Sequence, residues 1–340
     1  MIRVAHVMAG ADAGGAELFY ERLTLALGST MEVLPVIRRN AKRAGHLRAG
    51  GLLPVELGFG GRLDLLTRPR IGHALRRFKP RVTVAWMNRA ARMTPQGDWV
   101  LAGRLGGFYD LSNYARCDHL IGNTLGIVEW IREQGWAQSR VHHLPNFAAE
   151  FSGSIPARPA SVPADAKLVL ALGRLHRNKA FDVLVRAMRH IPDAHVLIAG
   201  EGPERASLEA LARAEGVADR LHMPGWADDT GSLLAACDVL VCPSRHEPLG
   251  NVVIEGFSAA RPVVAAASQG PVELIENGQD GVLVPLEDAA ALGEALALVL
   301  EDRALAVRLA EAGRARYEAE FAAGPVLDRW RHFLTTVEKS

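Results

Sequence analysis

The chain has 340 residues, 49% of them apolar and 23% charged, and carries a formal net charge of +1. That composition belongs to a soluble globular protein with room for roughly two domains, and it excludes disordered and fibrous classes. There is no run of 18 apolar residues to form a membrane-spanning helix, and Cys117, Cys237 and Cys242 show no CxxC pairing, so the cysteines read as small core residues in a reducing cytosol.

The overall balance hides an asymmetry. Residues 1–150 carry 20 Lys and Arg against 12 Asp and Glu, and residues 151–340 carry 19 against 26. A basic half joined to an acidic half suggests two domains with different partners. The basic segments at 38–48 and 68–81 fit an anionic surface, such as phospholipid or a phosphorylated acceptor, as well as plain solvated helix faces. The basic half lacks the aromatic interleaving of a single-strand platform, so nucleic acid is not an expected partner.

The opening stretch MIRVAHVMAGADAGG has too short an apolar core for a signal peptide and reads as a buried strand, Ile2 to Met8, running into a glycine turn. An amphipathic segment, Leu18 to Leu27, follows. Strand, glycine turn and helix open a doubly wound α/β fold. Gly10, Gly14 and Gly15 do not form the G-x-G-x-x-G dinucleotide fingerprint. Adjacent Gly14 and Gly15 would let the backbone approach a phosphate, although a tight turn alone accounts for them. Further strands are expected at Val33–Ile37, Leu53–Leu57, Val82–Trp86, Val100–Ala102, His119–Ile121 and Val141–Leu144. Helices are expected at Ala41–Ala49, at Leu63–Phe78, and after Asn123 or Thr124 as a cap, with Trp130 and Ile131 on the apolar face. This alternation calls for a parallel sheet covered on both faces. Three prolines in Ser152–Ala166 mark a linker, placed at 151–165.

The second half alternates again. Strands are expected at Leu168–Leu172, Val196–Ala199, Leu221–Met223, Val239–Cys242, Val263–Ala265 and Val282–Val284. Helices are expected at Phe181–Met188, Arg205–Glu215, Ala289–Leu300 and Arg303–Glu320, with a last amphipathic segment at Val326–Val337.

Chemistry gathers at the strand ends, where open α/β sheets bind ligands. Gly173-Arg174-Leu175 ends one strand, with Lys179 five residues beyond Arg174. An Arg fork and a Lys point charge suit a diphosphate. GEGPER, Gly200 to Arg205, is a second glycine turn. In SRHEPLGNVVIEG, Glu247 and Glu255 flank Pro248, Leu249, Gly250 and Asn251 just before a helix in which Val253, Phe257 and Ala260 share a side. Free N–H groups at a helix start attract an anion, and two carboxylates can accept bonds from hydroxyls, so the pattern fits a sugar attached to phosphate. Each feature alone is also an ordinary turn, a solvated cation pair or a strand-to-helix junction. Three such edges in one half favour a ligand site there. No D-x-D and no His/Cys cluster with metal spacing occurs, so neither a metal nor another cofactor is expected, with Arg174 and Lys179 standing where a cation would.

The ordered set GG, GRL with a following NK, GEGP and PSRHEPLGNVVIE with its Glu-x7-Glu spacing resembles the retaining family-4 glycosyltransferases. The resemblance covers essentially the whole chain and is strongest from about 165 to 290. It implies a GT-B architecture, two doubly wound Rossmann-like domains facing a central cleft. The N-terminal acceptor domain would be 1–150, completed by a C-terminal helix at about 325–338, and the donor domain 166–324. It implies that Arg174 and Lys179, with Gly173, hold the donor diphosphate, and that Gly14 and Gly15 approach the same phosphates. Glu247 would bind donor-sugar hydroxyls beside the Leu249–Gly250–Asn251 backbone, and Glu255 the ribose. The Gly200–Gly202 turn would border the donor and Gly225 the nucleobase. The implied activity is metal-independent transfer from a nucleotide-diphosphate sugar to a saccharide or phosphorylated lipid-linked acceptor. Its expected place is the cytoplasm, with peripheral contact to anionic lipid at the inner face of the plasma membrane. More loosely, GRLGGFYDLSNYARCDHLIGN, residues 103–123, resembles bacterial enzymes that build lipopolysaccharide cores.

One departure stands out. Many members carry a histidine or acid near the end of the fourth or fifth N-terminal strand, where this chain reads Trp86-Met87-Asn88-Arg89 and Arg104-Leu105-Gly106-Gly107. Asn88, Arg104 and Asp110 are therefore the candidates for acceptor or catalytic contact, with a buried structural role equally open for Asp110. His6 and His246 are further groups that could approach the cleft. The missing histidine keeps open a nucleotide-sugar sensor without turnover, and epimerases and phosphorylases share the fold.

Overall fold

The computed structural model describes residues 1–10, 14–60 and 64–339. The chain divides into two units, Met1–Asn146 with Gly324–Ser340, and Phe147–Ala323. The first holds a seven-stranded parallel sheet of β1 (Arg3–Met8), β2 (Glu32–Arg38), β3 (Val55–Leu57), β4 (Val82–Trp86), β5 (Val100–Leu105), β6 (His119–Gly122) and β7 (Val141–His143), in the order β3-β2-β1-β4-β5-β6-β7. Its helices are α1 (Gly15–Gly28), α2 (Ala41–Ala49), α3 (Thr67–Phe78), α4 (Met87–Met93) and α5 (Leu125–Glu133). The second unit holds β8 (Lys167–Leu172), β9 (Ala194–Ala199), β10 (Leu221–Gly225), β11 (Val239–Cys242), β12 (Val263–Ala266) and β13 (Val282–Val284), in the order β10-β9-β8-β11-β12-β13. With it go α6 (Phe181–Ala187), α7 (Arg205–Ala214), α8 (Thr230–Ala236), α9 (Asn251–Ser258), α10 (Gln269–Leu274), α11 (Ala289–Glu301) and α12 (Arg303–Arg316). The last helix, α13 (Ala323–Thr336), falls in the first unit but for its first residue.

The central strands are buried on both faces, as the continuous apolar runs of β1, β4 and β11 require. In each sheet the order reverses once, between β1 and β4 and between β8 and β11. In open α/β sheets the crevice outside the carboxyl ends of such a pair is where ligands bind. Helix starts follow from caps written in the sequence: Asn40 accepts from Arg43 N for α2, and Thr124 from Ile127 N for α5. The last helix returns to the first sheet because Trp330 is fully buried there, stacked on Trp86 at 6.2 Å, and Arg81 donates to the Val337 carbonyl at 2.9 Å.

Several expectations need correction. The proline-rich segment at 151–165 is not a free linker: the chain joins the second unit at Phe147. Phe151 N donates to Ser258 Oγ at 3.0 Å, Val162 is buried in the core, and Arg158 binds the Pro163 and Ala166 carbonyls. Prolines here shape a packed strap instead of a tether. Ala260 does not continue the apolar side of α9; it is exposed, beyond the helix end, at φ +51°. Helices α4, α8 and α10 are additions to the sequence reading, each of six or seven residues and too short for a clear period. The expected start of α3 at Leu63, and Ala11 to Ala13 of the first glycine turn, lie outside the described residues.

Candidate functional site

In the second unit the carboxyl ends of β8 and β11 bring together groups far apart in sequence. β8 ends in Gly173 at φ +143°, a backbone conformation that glycine alone adopts freely. The chain then reaches a short 3-10 turn, Arg177–Lys179, closed by Ala180 in the left-handed region at φ +52°. That turn points Lys179 at Glu247: Nζ lies 2.5 Å from Oε2. Glu247 also accepts from Ser244 Oγ at 3.4 Å and from Gly250 N at 3.3 Å. Burial pushes the Lys179 ammonium down, but Glu247, Cys242 and Glu255 outweigh it, and the group titrates above the ordinary lysine value. Lysine and glutamate are therefore held as a fixed ion pair, with the Glu255 charge near enough to be felt.

The loop carrying Glu247 is anchored from behind. Arg245 binds both carboxylate oxygens of Asp182 at 2.7 Å, donates to the Arg177 carbonyl at 2.8 Å and pairs with Glu287. Arg245 N also donates to the Asn178 carbonyl at 2.9 Å. This clamp ties the 244–250 loop to the 177–182 turn, and it is why Lys179 meets Glu247. Arg245 and Asp182 were not visible as site residues in the sequence; a charged pair 63 residues apart has no local signature.

Gly250 sits at φ +86° as the residue before α9, and its conformation turns the chain from the Glu247 loop into the helix. Leu249 is buried, and Asn251 and Glu255 are partly exposed. Arg174 is exposed and makes no hydrogen bond or ion pair with the described residues, leaving its guanidinium fork available to an anion. Gly200 and Gly202 meet a different need. A Cβ on Gly200 would lie 1.8 Å from the Gly173 carbonyl oxygen, and one on Gly202 2.3 Å from that of Leu175. Leu175 N donates to the Glu201 carbonyl at 3.1 Å. The GEGP turn is thus stacked backbone to backbone on the GRL turn, which accounts for both glycines through packing. Gly225, at φ +97°, closes β10 after a register break with β9. His246 is exposed in this loop.

In the first unit the candidates separate. Gly14, in extended backbone, precedes α1, of which Gly15 is the first residue. A Cβ on Gly10 or Gly14 would collide with the Glu17 carboxylate, at 2.2 and 2.5 Å, so buried Glu17 fills the floor of this turn. The available signal was an acid in the first helical turn after a glycine pair. Arg104 is 1% exposed, stacked 4.5 Å from the Trp86 ring centroid and bonded to Asn146 Oδ1. Burial pushes its guanidinium down to about 9. It is a structural cation behind Trp86, not a group on the surface. Asp110 is exposed and caps a 3-10 turn, accepting from Ser112 N at 2.9 Å and Oγ at 2.8 Å. His6 is fully buried between Tyr20, Trp86 and Trp330 and lowered to about 3 by burial and then by Arg104, which makes it a neutral core residue. Asn88 faces a space, a cavity of about 340 Å³ lined also by Gly10, Arg38, Trp86, Arg89 and Tyr109.

No group of three or more His, Cys, Asp or Glu among the described residues is arranged to hold a metal ion. What the second unit offers is fixed cations and a positioned carboxylate at a sheet reversal, a combination that can bind a phosphorylated, hydroxyl-rich molecule.

Comparison with known proteins gives the family and the fold. The profile of the family described as "Glycosyl transferases group 1" matches residues 157–316. The lipopolysaccharide core biosynthesis glycosyltransferase LpsE of Rhizobium meliloti (strain 1021) is 33% identical over 98% of this chain and 99% of that protein. Among solved structures, a glycosyltransferase from Rickettsia africae ESF-5 superposes with a TM-score of 0.87 at 15% identity, covering 98% of both chains. Anabaena HepE in complex with UDP and glucose gives 0.84 at 17% identity, over 99% of this chain and 100% of that one. At such identities the structural likeness speaks for the fold, which is GT-B, while the sequence relatives speak for the family. The chain belongs to the group 1 glycosyl transferases.

Proposed function

We propose that this glycosyltransferase moves a sugar from a nucleotide-diphosphate sugar onto a saccharide or lipid-linked acceptor of the lipopolysaccharide core, with retention at the anomeric carbon and with neither metal nor organic cofactor. The observation that carries the donor half is the Lys179–Glu247 pair at 2.5 Å, at the ends of β8 and β11, with Arg174 exposed and unpaired at the same edge. The name of the Rhizobium meliloti relative, and the UDP bound by the Anabaena protein, support the acceptor and donor classes.

In this reading Arg174 and Lys179 meet the diphosphate. Each charge-assisted bond contributes on the order of 1.5–3 kcal/mol as the leaving group gains charge. Glu247 accepts hydrogen bonds from hydroxyls of the donor sugar. The acceptor oxygen attacks the anomeric carbon on the face from which the diphosphate departs. The bond from carbon to phosphate oxygen breaks, the new glycosidic bond forms, and the acceptor proton passes to the leaving phosphate. Retention by this route fits a Glu247 tied down by Lys179, Ser244 and Gly250, a carboxylate placed to orient rather than to attack.

The proposal extends to location. No described helix is long and apolar enough to cross a membrane. We place the protein at the cytoplasmic face of a membrane, touching anionic lipid through α3. Arg68, Arg70, Arg76, Arg77 and Lys79 of that segment are exposed, with Leu65 and Leu66 81% and 61% exposed beside it.

Turnover across a panel of nucleotide sugars, with core oligosaccharide as acceptor and with chelator present, tests the reaction. One donor should be consumed at an unchanged rate. Loss of turnover in chelator with rescue by magnesium would end the metal-free reading. Failure of every nucleotide sugar to bind would end the donor assignment.

A further inference from the structure

The cavity at the carboxyl ends of β1, β2 and β4 is charged in one sense. Arg38, the last residue of β2, and Arg89 of α4 both line it and both are exposed. Neither guanidinium has an ion pair among the described residues; Arg89 makes one long hydrogen bond, to the Phe59 carbonyl at 3.5 Å. Inward of the cavity, Glu17 lies beneath Gly10 and Arg104 behind Trp86, and Tyr109 feels both charges. Of the charged side chains, Arg38 and Arg89 are the ones that line the cavity itself.

The backbone here is strained on purpose. Met87, the first residue of α4 directly after β4, adopts φ +61°, a left-handed conformation that a bulky side chain takes at a cost of about 1–3 kcal/mol. That kink turns Asn88 and Arg89 into the cavity directly from the strand end. The Asn88 side-chain oxygen is buried and has no hydrogen-bond partner among the described residues, nor has the indole N–H of Trp86, a residue that also lines the cavity. Polar atoms without a partner and two cations without an ion pair among the described residues meet a bulky residue held in a glycine conformation.

We propose that this cavity selects an acidic acceptor sugar, one that carries a carboxylate or a phosphate, with Arg38 and Arg89 binding the anion and Asn88 Oδ1 accepting from a neighbouring hydroxyl. The proposal rests on the transferase reading for the word acceptor, and on the cavity alone for the anion. It makes the two arginines specificity-determining residues: Arg38 at the end of β2, and Arg89 just after β4, in the stretch where many family members carry a histidine or acid.

The six tryptophan indole N–H signals of the 15N-labelled full chain provide the readout. Loss of one signal in Trp86→Phe identifies the reporter. Galacturonic acid or glucose 6-phosphate should shift the Trp86 signal, and glucose at the same concentration should not. A response to only one of the two acids tells carboxylate from phosphate. Arg38→Gln and Arg89→Gln should each weaken the response about tenfold, the double variant should abolish it, and the other five indole signals should stay in place as the control for folding. Equal responses to acid and neutral sugar, no response to either acid, or acid binding unchanged in the double variant overturns the proposal. Nucleotide-sugar turnover is measured in parallel. If acids bind here but no nucleotide sugar is consumed, the transferase reading fails and the anion site stands. If turnover proceeds but charge makes no difference, the inference alone fails.

Discussion

Lys179 keeps its charge in a half-closed site because Glu247 answers it, and the same logic run in reverse describes two histidines of the first unit. His6 is lowered to about 3, by burial first and Arg104 second, and His142 to about 4, by burial first and then by His119 and Arg132. A lowered histidine value means that the unfolded chain binds protons which the folded one refuses. Stability is therefore complete above the unfolded value near 6.5 and is lost as pH falls toward 4, with a slope of at most about 1.4 kcal/mol per pH unit for each histidine. The midpoint of thermal unfolding should drop over that window, and His142→Gln, which keeps a polar partner for His119, should flatten the drop. A wild-type midpoint unchanged from pH 6.5 to 4 would contradict the assignment of neutral, buried rings. Lys179 moves the other way. Its value is raised, so the pair with Glu247 is intact at neutral pH and is lost only as pH rises through the lysine's folded value.

At the scale of elements, α2 and α3 look equally basic in sequence, and the fold separates them. In α2, Arg43 is buried against Glu21 at 2.9 Å and Arg48 pairs with Glu56 at 2.6 Å. The cations of α3 face solvent, beside a cavity of about 900 Å³ lined by Leu34, Val55 and Leu57 and rimmed by Arg70, His73 and Arg77. Each basic residue near an anionic surface contributes about 1 kcal/mol. The full chain should co-sediment with vesicles containing anionic phospholipid and not with neutral ones, and Arg70→Glu with Arg77→Glu should release it. Binding that ignored lipid charge would rule out the contact. Elements also mark how far the sequence could be read. Runs such as VLVC and VTVAW gave strands because burial on both faces leaves no other composition. By contrast α4 begins at a left-handed Met87, which no local propensity announces, and α10 contains a Gly-Pro step that reads as a turn. The segment at 151–165 reads as a linker because proline content reports stiffness, not what a segment packs against.

For the whole molecule, two parallel sheets, each with one reversal, follow from alternating apolar runs and glycine turns, and that much is legible in the chain. The candidate site was legible in the sequence to the extent that Lys179, Glu247 and Gly250 stand at strand ends, and the structure brings these three together. It was not legible where tertiary contacts decide. Gly200 and Gly202 serve to stack one turn on another, Arg104 is sealed behind Trp86, and Asp110 caps a turn. Arg245, Asp182, Glu17, Arg38 and Met87 gain their meaning from partners or strain that only the folded chain supplies. The basic excess of residues 1–150, 20 against 12, likewise becomes specific only once the fold shows which cations remain unpaired.

In the proposed reaction the edge of β8 and β11 holds the donor and Glu247 orients the sugar being transferred. The most direct test is the transfer rate from the identified nucleotide sugar, measured for the wild type and for Glu247→Ala at equal folded concentration, with nucleotide affinity recorded alongside. The expected result is a fall in kcat of about a hundredfold or more, with nucleotide affinity nearly unchanged because Arg174 and Lys179 remain. Wild-type kcat in Glu247→Ala would contradict the account.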